Sequence, residues 1–173
     1  MDNAILKEGC DRHEKLKHAR EVAQSMGWKR TVKVWAIGND PIHWHMDSSL
    51  IDPVTGYLRF DKENDKMPKR DYYVIDFNLQ DHTGLNLEFK PNPMKAFSVA
   101  VTGDQPPVDC PGEGSYSDSI YAICCDQNGK TLTIRNDDMD VEYFSFALYF
   151  DSDDGDQRYD PGGDNQNGNY RYD

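Results

Sequence analysis

Hydrophobic residues occupy every second position of the run from Asp140 to Tyr159 more regularly than elsewhere in the chain. One face of this run carries only large apolar side chains: Phe144, Phe146, Leu148 and Phe150. The opposite face carries Tyr143, Ser145, Ala147 and Tyr149. A period of two residues is typical of a β-strand, because successive side chains point to opposite faces. The run therefore predicts a core strand, and the acidic residues after Phe150 indicate where it ends.

Shorter runs with the same period are spread through the chain between residues 31 and 135. They predict strands over residues 31–37, 57–60, 72–79, 85–89, 97–101, 120–125 and 131–135. Turn residues at 81–84 predict a hairpin, and Asn128-Gly129 predicts another, since Asn-Gly is favoured in tight hairpins. No helix alternates with the strands, which excludes a parallel α/β sheet. The pattern predicts an all-β fold, an antiparallel β-sandwich of jelly-roll or Ig-like type.

One amphipathic helix is predicted over residues 11–26, ahead of the strands. Asp11 and Glu14 form a capping pair at its start, and Gly27 is placed to end it. The chain then divides into an N-terminal helical segment (1–30), the β-sandwich (31–150) and an acidic, Gly- and Asn-rich tail (151–173). The tail has too few apolar residues to bury a core of its own.

The balance of charge narrows the classes of partner. The 173 residues include 31 acidic and 19 basic side chains, a formal net charge of -12. Phosphate backbones and anionic lipids require clustered Lys and Arg, so direct binding of nucleic acid or of a membrane surface is excluded. A cation, a basic protein or solubility alone fits this charge.

The cellular compartment is predicted from three further observations. No apolar run reaches the length of a membrane span, and the N-terminus lacks the apolar region of a signal peptide. None of the four cysteines has C-x-x-C spacing, which gives no support to zinc or thioredoxin-like motifs. These are Cys10, Cys110, Cys124 and Cys125. We expect a cytoplasmic protein with reduced thiols.

Two groups of residues are candidate metal ligands. His43 and His45 point to the same side of an extended chain, about 7 Å apart, and suit zinc if Asp40, Asp47 or His82 supplies a third ligand. The alternative is a loop whose histidines hydrogen-bond locally. The second group suits calcium and consists of Asp151, Asp153 and Asp156, with Asp154 and Asp160 nearby. Its spacing departs from the EF-hand order, and the alternative is a solvated acidic tail.

Motifs that indicate catalysis are missing from the sequence. There is no G-x-S-x-G, and no glycine-rich loop follows a strand and opens a helix. Carboxylates are too numerous for one catalytic pair to stand out. We expect that the chain is not an enzyme.

The second face of the long strand is unusually aromatic for a solvated surface. Tyr143, Ala147 and Tyr149 lie on it, and Tyr72 lies on the polar side of the strand over residues 72–79. Either a second layer of the same chain covers these residues, or they form an interface. The sharper hypothesis is self-association into a homo-oligomer.

The end of the chain resembles the C-terminal end of the bacterial PixA/AidA inclusion-body protein family. The resemblance is carried by residues 143–149 and by Tyr159-Asp160-Pro161, and it spans about twenty residues. It implies a cytoplasmic all-β sandwich that self-associates or binds a ligand and has no catalytic activity. The leading helix, the Asp-rich gap and the Gly/Asn-rich end depart from the family pattern.

The sequence therefore predicts a non-enzymatic, cytoplasmic β-sandwich that self-assembles or binds protein. One alternative is an acidic inhibitor or adaptor that engages a basic partner surface by mimicking nucleic-acid charge. Another is a metal-dependent binding module or hydrolase that uses the histidines and the Asp loop.

Overall fold

The computed structural model describes residues 28–68, 70–103, 117–138 and 141–166. The helix predicted over 11–26, Cys10, Cys110 and the end of the tail lie outside these ranges. The described residues form eleven strands and one short helix: β1 (Lys29–Ile37), β2 (His43–Asp47), β3 (Leu58–Phe60), β4 (Tyr73–His82), β5 (Glu88–Phe89), α1 (Pro93–Ala96), β6 (Phe97–Gly103), β7 (Ile120–Cys125), β8 (Thr131–Asn136), β9 (Val141–Asp151), β10 (Gln157–Tyr159) and β11 (Gly162–Gln166).

The strands form two sheets, and the prediction of an all-β protein is confirmed. The five-stranded sheet has the order β2-β1-β4-β8-β7. In the six-stranded sheet, β9 pairs with β5 and β6 along one edge and with β10 and β11 along the other, and β3 pairs with β11. No helix within the described ranges is long and apolar enough to cross a membrane.

Both sheets are mixed, which corrects the prediction of a purely antiparallel arrangement. β1 pairs with β4 in parallel, and β11 pairs with β3 in parallel. The chain between β1 and β4 passes through β2 and β3 before it returns, and parallel neighbours require such a crossover. Side chains alternate with period two in both kinds of pair, so the hydrophobic pattern does not reveal strand direction.

One hydrophobic core contains side chains from both sheets. The face of β9 predicted to be apolar is buried, with Phe144 and Phe146 each 1% exposed and Leu148 and Phe150 fully buried. The ring of Phe146 lies 5.7 Å from that of Phe77 in β4, which brings the two sheets into contact. Burial of each such side chain contributes about 1.5–3 kcal/mol.

The two predicted hairpins have different outcomes. β7 and β8 pair antiparallel around Asn128-Gly129, as predicted, and Gly129 has the positive φ of 68° that this turn needs. The hairpin through residues 81–84 is wrong, since β5 pairs with β9 in the other sheet. The carboxylate of Asp81 accepts hydrogen bonds from the backbone N–H groups of Thr83 and Leu87, both at 2.9 Å. These bonds hold the loop that carries the chain across.

The predicted tail begins inside the six-stranded sheet. β10 and β11 pair antiparallel with β9, and the boundary placed after residue 150 falls inside β9, which ends at Asp151. Gly163 of β11 lies beneath the ring of Phe144, and a Cβ at this position would lie 1.9 Å from Phe144 Cζ. The tail over residues 151–173 was predicted partly from its glycines. In the structure, the missing side chain of Gly163 allows β11 to lie close to β9.

Replacement of Gly163 by Ala is expected to destabilise the protein by about 3 kcal/mol or more, because the added Cβ overlaps a buried ring. Chemical denaturation of the purified variant measures the loss. The double variant Gly163→Ala/Phe144→Leu removes the clashing ring atoms and should cost less than the two single changes added together. Additive costs would contradict this origin of the strain.

Candidate functional site

Three aromatic side chains stand side by side on the outer surface of the five-stranded sheet. The Trp35 ring is stacked on one side with His45, at a centroid distance of 5.9 Å and an angle of 4°. It is stacked on the other side with His82, at 5.3 Å and 13°. We call His45, Trp35 and His82 the aromatic ladder. It crosses three adjacent strands, because β2, β1 and β4 are neighbours in the sheet.

The sequence builds this ladder by placing alternate residues of β1 and β2 outward. The register pairs Trp35 with His45 directly, and Ile37 lies beside His82 in the parallel pair. Gly38 N donates to His82 O at 3.2 Å, and Asn39 Nδ2 donates to Thr83 O at 2.7 Å. These two hydrogen bonds fix the β1–β2 connection against the end of β4. They therefore hold the ladder in register.

The surface around the ladder is open. His43, His45 and His82 are exposed, and the side chain of Ile37 is 42% exposed. We call Trp35, Ile37, His43, His45 and His82 the ladder face. Trp44 and Met46 of β2 point the other way and pack against the core, with the Trp44 ring 5.0 Å from that of Phe150.

The aromatic ladder separates two of the predicted zinc ligands, His45 and His82. His43 and His45 lie on the same exposed side of β2, as predicted. The indole of Trp35 stands between His45 and His82, so these two imidazoles do not converge on one ion. Within the described ranges, no group of three or more His, Cys, Asp or Glu side chains is arranged to hold a metal ion.

The second predicted metal group is held together by a lysine. Lys90 Nζ lies 2.7 Å from Asp151 Oδ1 and 2.6 Å from Asp156 Oδ1, and this contact raises the pKa of Lys90. Asn86 Nδ2 donates to Asp153 Oδ2 at 2.7 Å. The ammonium group lies between two of the carboxylates that were predicted to bind calcium. Lys90 and Asn86 were missed because they lie more than sixty residues away in the chain.

Replacement of Lys90 by Met keeps the aliphatic stem and removes the charge. We expect a loss of about 0.5–1 kcal/mol in the free energy of unfolding, because both carboxylates are largely exposed and well screened. Urea denaturation at low and high salt checks the value. Lys95→Met, a change at an exposed position of α1, is the matched control. A cost above about 2 kcal/mol would contradict the assignment of a screened surface network.

The four predicted interface residues have different environments. Ala147 is fully buried, and Tyr149 is 7% exposed with its hydroxyl 2.9 Å from Ser98 Oγ. Other parts of the same chain cover Ala147 and Tyr149. For these two residues, the structure therefore matches the first of the two predicted alternatives, cover by a second layer, and not an interface. Tyr143 is half-buried and meets the ring of Tyr57 edge-on at 6.2 Å.

Tyr72, the fourth of these residues, makes a cation–π contact with Arg135 of the same chain. The Arg135 guanidinium lies 3.7 Å from the centroid of the half-buried Tyr72 ring. Burial raises the pKa of Tyr72, and the positive charge of Arg135 opposes that rise. One face of the ring is therefore already occupied.

A polar cleft of about 340 Å³ lies beside β3 and was not predicted. It is lined by Ser49, Leu50, Ile51, Asp52, Pro53, Arg59, Asp61, Asn64 and Asp65. Asp65 Oδ2 accepts a hydrogen bond of 2.5 Å from the buried hydroxyl of Tyr73. Burial, then this hydrogen bond, raises the pKa of Tyr73 far above its usual value. The cleft could have been predicted from Asp52, Asp61 and Asp65, which lie on both sides of the short strand 58–60 in the sequence.

The two described cysteines are free thiols at the end of β7. Cys124 and Cys125 are half-buried, and the reduced state of the four cysteines stays a prediction. Burial and the nearby Asp126 carboxylate raise the pKa of Cys125 to about 12. Since the thiolate is the nucleophile, Cys125 is a poor one at neutral pH.

We therefore expect iodoacetamide at pH 8 to alkylate Cys125 in the folded protein at least a hundredfold more slowly than in urea. Fragment-ion mass spectrometry of the Cys124→Ser variant assigns the label to the correct residue. Equal rates in the folded and unfolded chains would show that Cys125 is neither buried nor protonated as described.

Comparison with known proteins identifies no relative. No protein-family model matches the chain, and no match is found among curated proteins. The resemblance to the PixA/AidA family therefore stays a prediction.

Proposed function

We propose that this chain is a non-catalytic, cytoplasmic binding module that associates with protein, and that a second copy of itself is its principal partner. The observation that carries the proposal is the ladder face. It presents an indole and an isoleucine on an open sheet surface, whereas the tyrosine face of β9 is largely covered.

The composition of the ladder face suits protein association. Trp is enriched at energetically important interface positions, since one large rigid ring supplies apolar area at little entropic cost. The imidazoles add hydrogen-bonding groups, and Lys33 and Asp47 provide an exposed polar border. An apolar centre with a polar rim is the usual arrangement of a specific interface.

The proposal includes a finer description of the fold. We infer that the two sheets are the layers of a β-sandwich, because aromatic rings from both meet in one core. The jelly-roll and Ig-like strand orders and the helix over 11–26 stay predictions. A cytoplasmic location also stays a prediction.

A second candidate function is engagement of a basic partner surface. The polar cleft favours it, because Asp52, Asp61 and Asp65 outnumber Arg59 in its lining. Arg59 lies 4.0 Å from Asp61 and Arg30 lies 3.9 Å from Asp65, so a partner cation would compete with these contacts. The net charge of -12 would attract a basic protein over a distance. This hypothesis requires a Lys or Arg side chain of the partner in the cleft.

Light scattering after size exclusion tests self-association over a range of concentrations. We expect the mass to rise from 19.9 kDa toward twice that value. Ile37→Lys should weaken association at least tenfold, because it places a charge in the apolar centre of the ladder face. Val54→Lys is the matched control, since Val54 is an aliphatic residue that is 90% exposed in the connection between β2 and β3, outside the ladder face.

A chain that stays monomeric at the highest concentration, with Ile37→Lys unchanged from it, would overturn self-association. The dependence of binding on salt concentration distinguishes self-association from binding of a basic protein. Contacts of the ladder face should persist at 1 M salt, where charges are screened beyond about 3 Å. Binding of a basic protein should be lost there.

A further inference from the structure

Among the described residues, β1 is the one strand that pairs with β2, so the outer edge of β2 carries no strand partner. At the other side of the five-stranded sheet, β7 lies in contact with β6. In the six-stranded sheet, β3 is bridged by Ile51, and β10 is only three residues long. β2 has five residues and pairs on one side with β1.

Protection that is common on edge strands is missing from β2. Its register with β1 runs without a bulge from Asp47 to His43. Neither Lys nor Pro occurs within it, although both are typical of protected edges. An unprotected edge presents backbone donors and acceptors that another strand can satisfy.

The sequence of β2, H-W-H-M-D, is complementary to itself when two copies run antiparallel about His45. On the outer face, His43 then lies opposite Asp47 of the second copy, and this pair occurs twice. On the inner face, Trp44 lies opposite Met46 of the second copy, also twice. Directly opposed side chains in such pairs lie about 5 Å apart. A hydrogen-bonded or charged pair and a sulfur–aromatic pair both stabilise this spacing.

We propose that two copies of the chain associate through β2, paired antiparallel about a two-fold axis at His45. The two five-stranded sheets then join edge to edge, and the partner surface is the same on both copies. This inference rests on the proposed self-association and moves the contact from the centre of the ladder face to its β2 edge. Ile37 of the neighbouring strand β1 lies outside that contact, so a dimer that is weakened by His43→Asp and not by Ile37→Lys identifies the edge as the interface.

The monomer holds β2 in the conformation that such pairing needs. The Trp44 ring is stacked with Phe150 at 5.0 Å and with Tyr159 at 5.3 Å, so the inner side of the strand is anchored in the core. Trp44 and Met46 remain only half-buried. A neighbouring strand would cover the exposed part of both side chains, and little ordering of the backbone would be required.

Charge complementarity favours a second copy over an unrelated strand. Another protein would have to present its own pattern of apolar, acidic and basic positions to match β2, whereas this chain supplies that pattern. The net charge of -12 on each copy opposes the encounter. Added salt should therefore strengthen this dimer, in contrast to a complex with a basic protein.

Sedimentation equilibrium of the full chain, with exchanged charges on β2, tests the inference. His43→Asp places like charges opposite each other at both ends and should weaken dimerisation at least tenfold. The double variant His43→Asp/Asp47→His restores the opposite pairs in exchanged positions and should regain most of the affinity. Gln127→Glu adds the same charge at an exposed residue of the β7–β8 turn, at the opposite edge of the sheet, and should weaken the dimer far less, which provides a control for net charge.

The outcomes separate this inference from the proposed function. A monomeric wild-type chain overturns both. A dimer that is unaffected by His43→Asp, or that is not restored by the double variant, leaves self-association in place and overturns β2 as its interface. Growth beyond the dimer overturns the two-fold arrangement, since an isologous contact closes at two copies.

Discussion

Packing of the aromatic face of β9 against the opposite sheet is the interaction on which the rest of the structure depends. Phe146 lies between Phe77 of β4 and Phe97 of β6, at centroid distances of 5.7 Å and 5.9 Å. Both edges of β9 are used, because β5 and β6 pair on one side and β10 and β11 on the other. Loss of this strand would remove the pairing partner of most of the six-stranded sheet as well as four large side chains of the core.

The same packing reaches the ladder face through β2. Phe150 of β9 contacts Trp44, and Trp44 also stacks on Tyr159 of β10. With Trp44 anchored inward, the alternation of a strand requires His43, His45 and Asp47 to point outward, because a shift of one residue would reverse every side chain. The core therefore orients the surface that we propose for association.

Parts of the candidate site could be predicted and others could not. The common side of His43 and His45 follows from period two alone. The place of Trp35 between His45 and His82 depends on the register of one antiparallel and one parallel pair, which no local pattern reveals. For the same reason the acidic residues after Phe150 suggested a cation, while the ammonium group beside them comes from a distant part of the chain.

For the strands that were predicted, the sequence by itself determined which residues face the core, because alternation is a local property of an extended backbone. It also determined the position of the Asn128-Gly129 hairpin, through the backbone conformation that these residues favour. Tertiary structure alone decided strand order and direction, the cover over Tyr149 and the approach of Gly163 to Phe144. Each of these depends on contacts between residues far apart in the chain, whose relative placement is set by the packing of the whole core rather than by local preference.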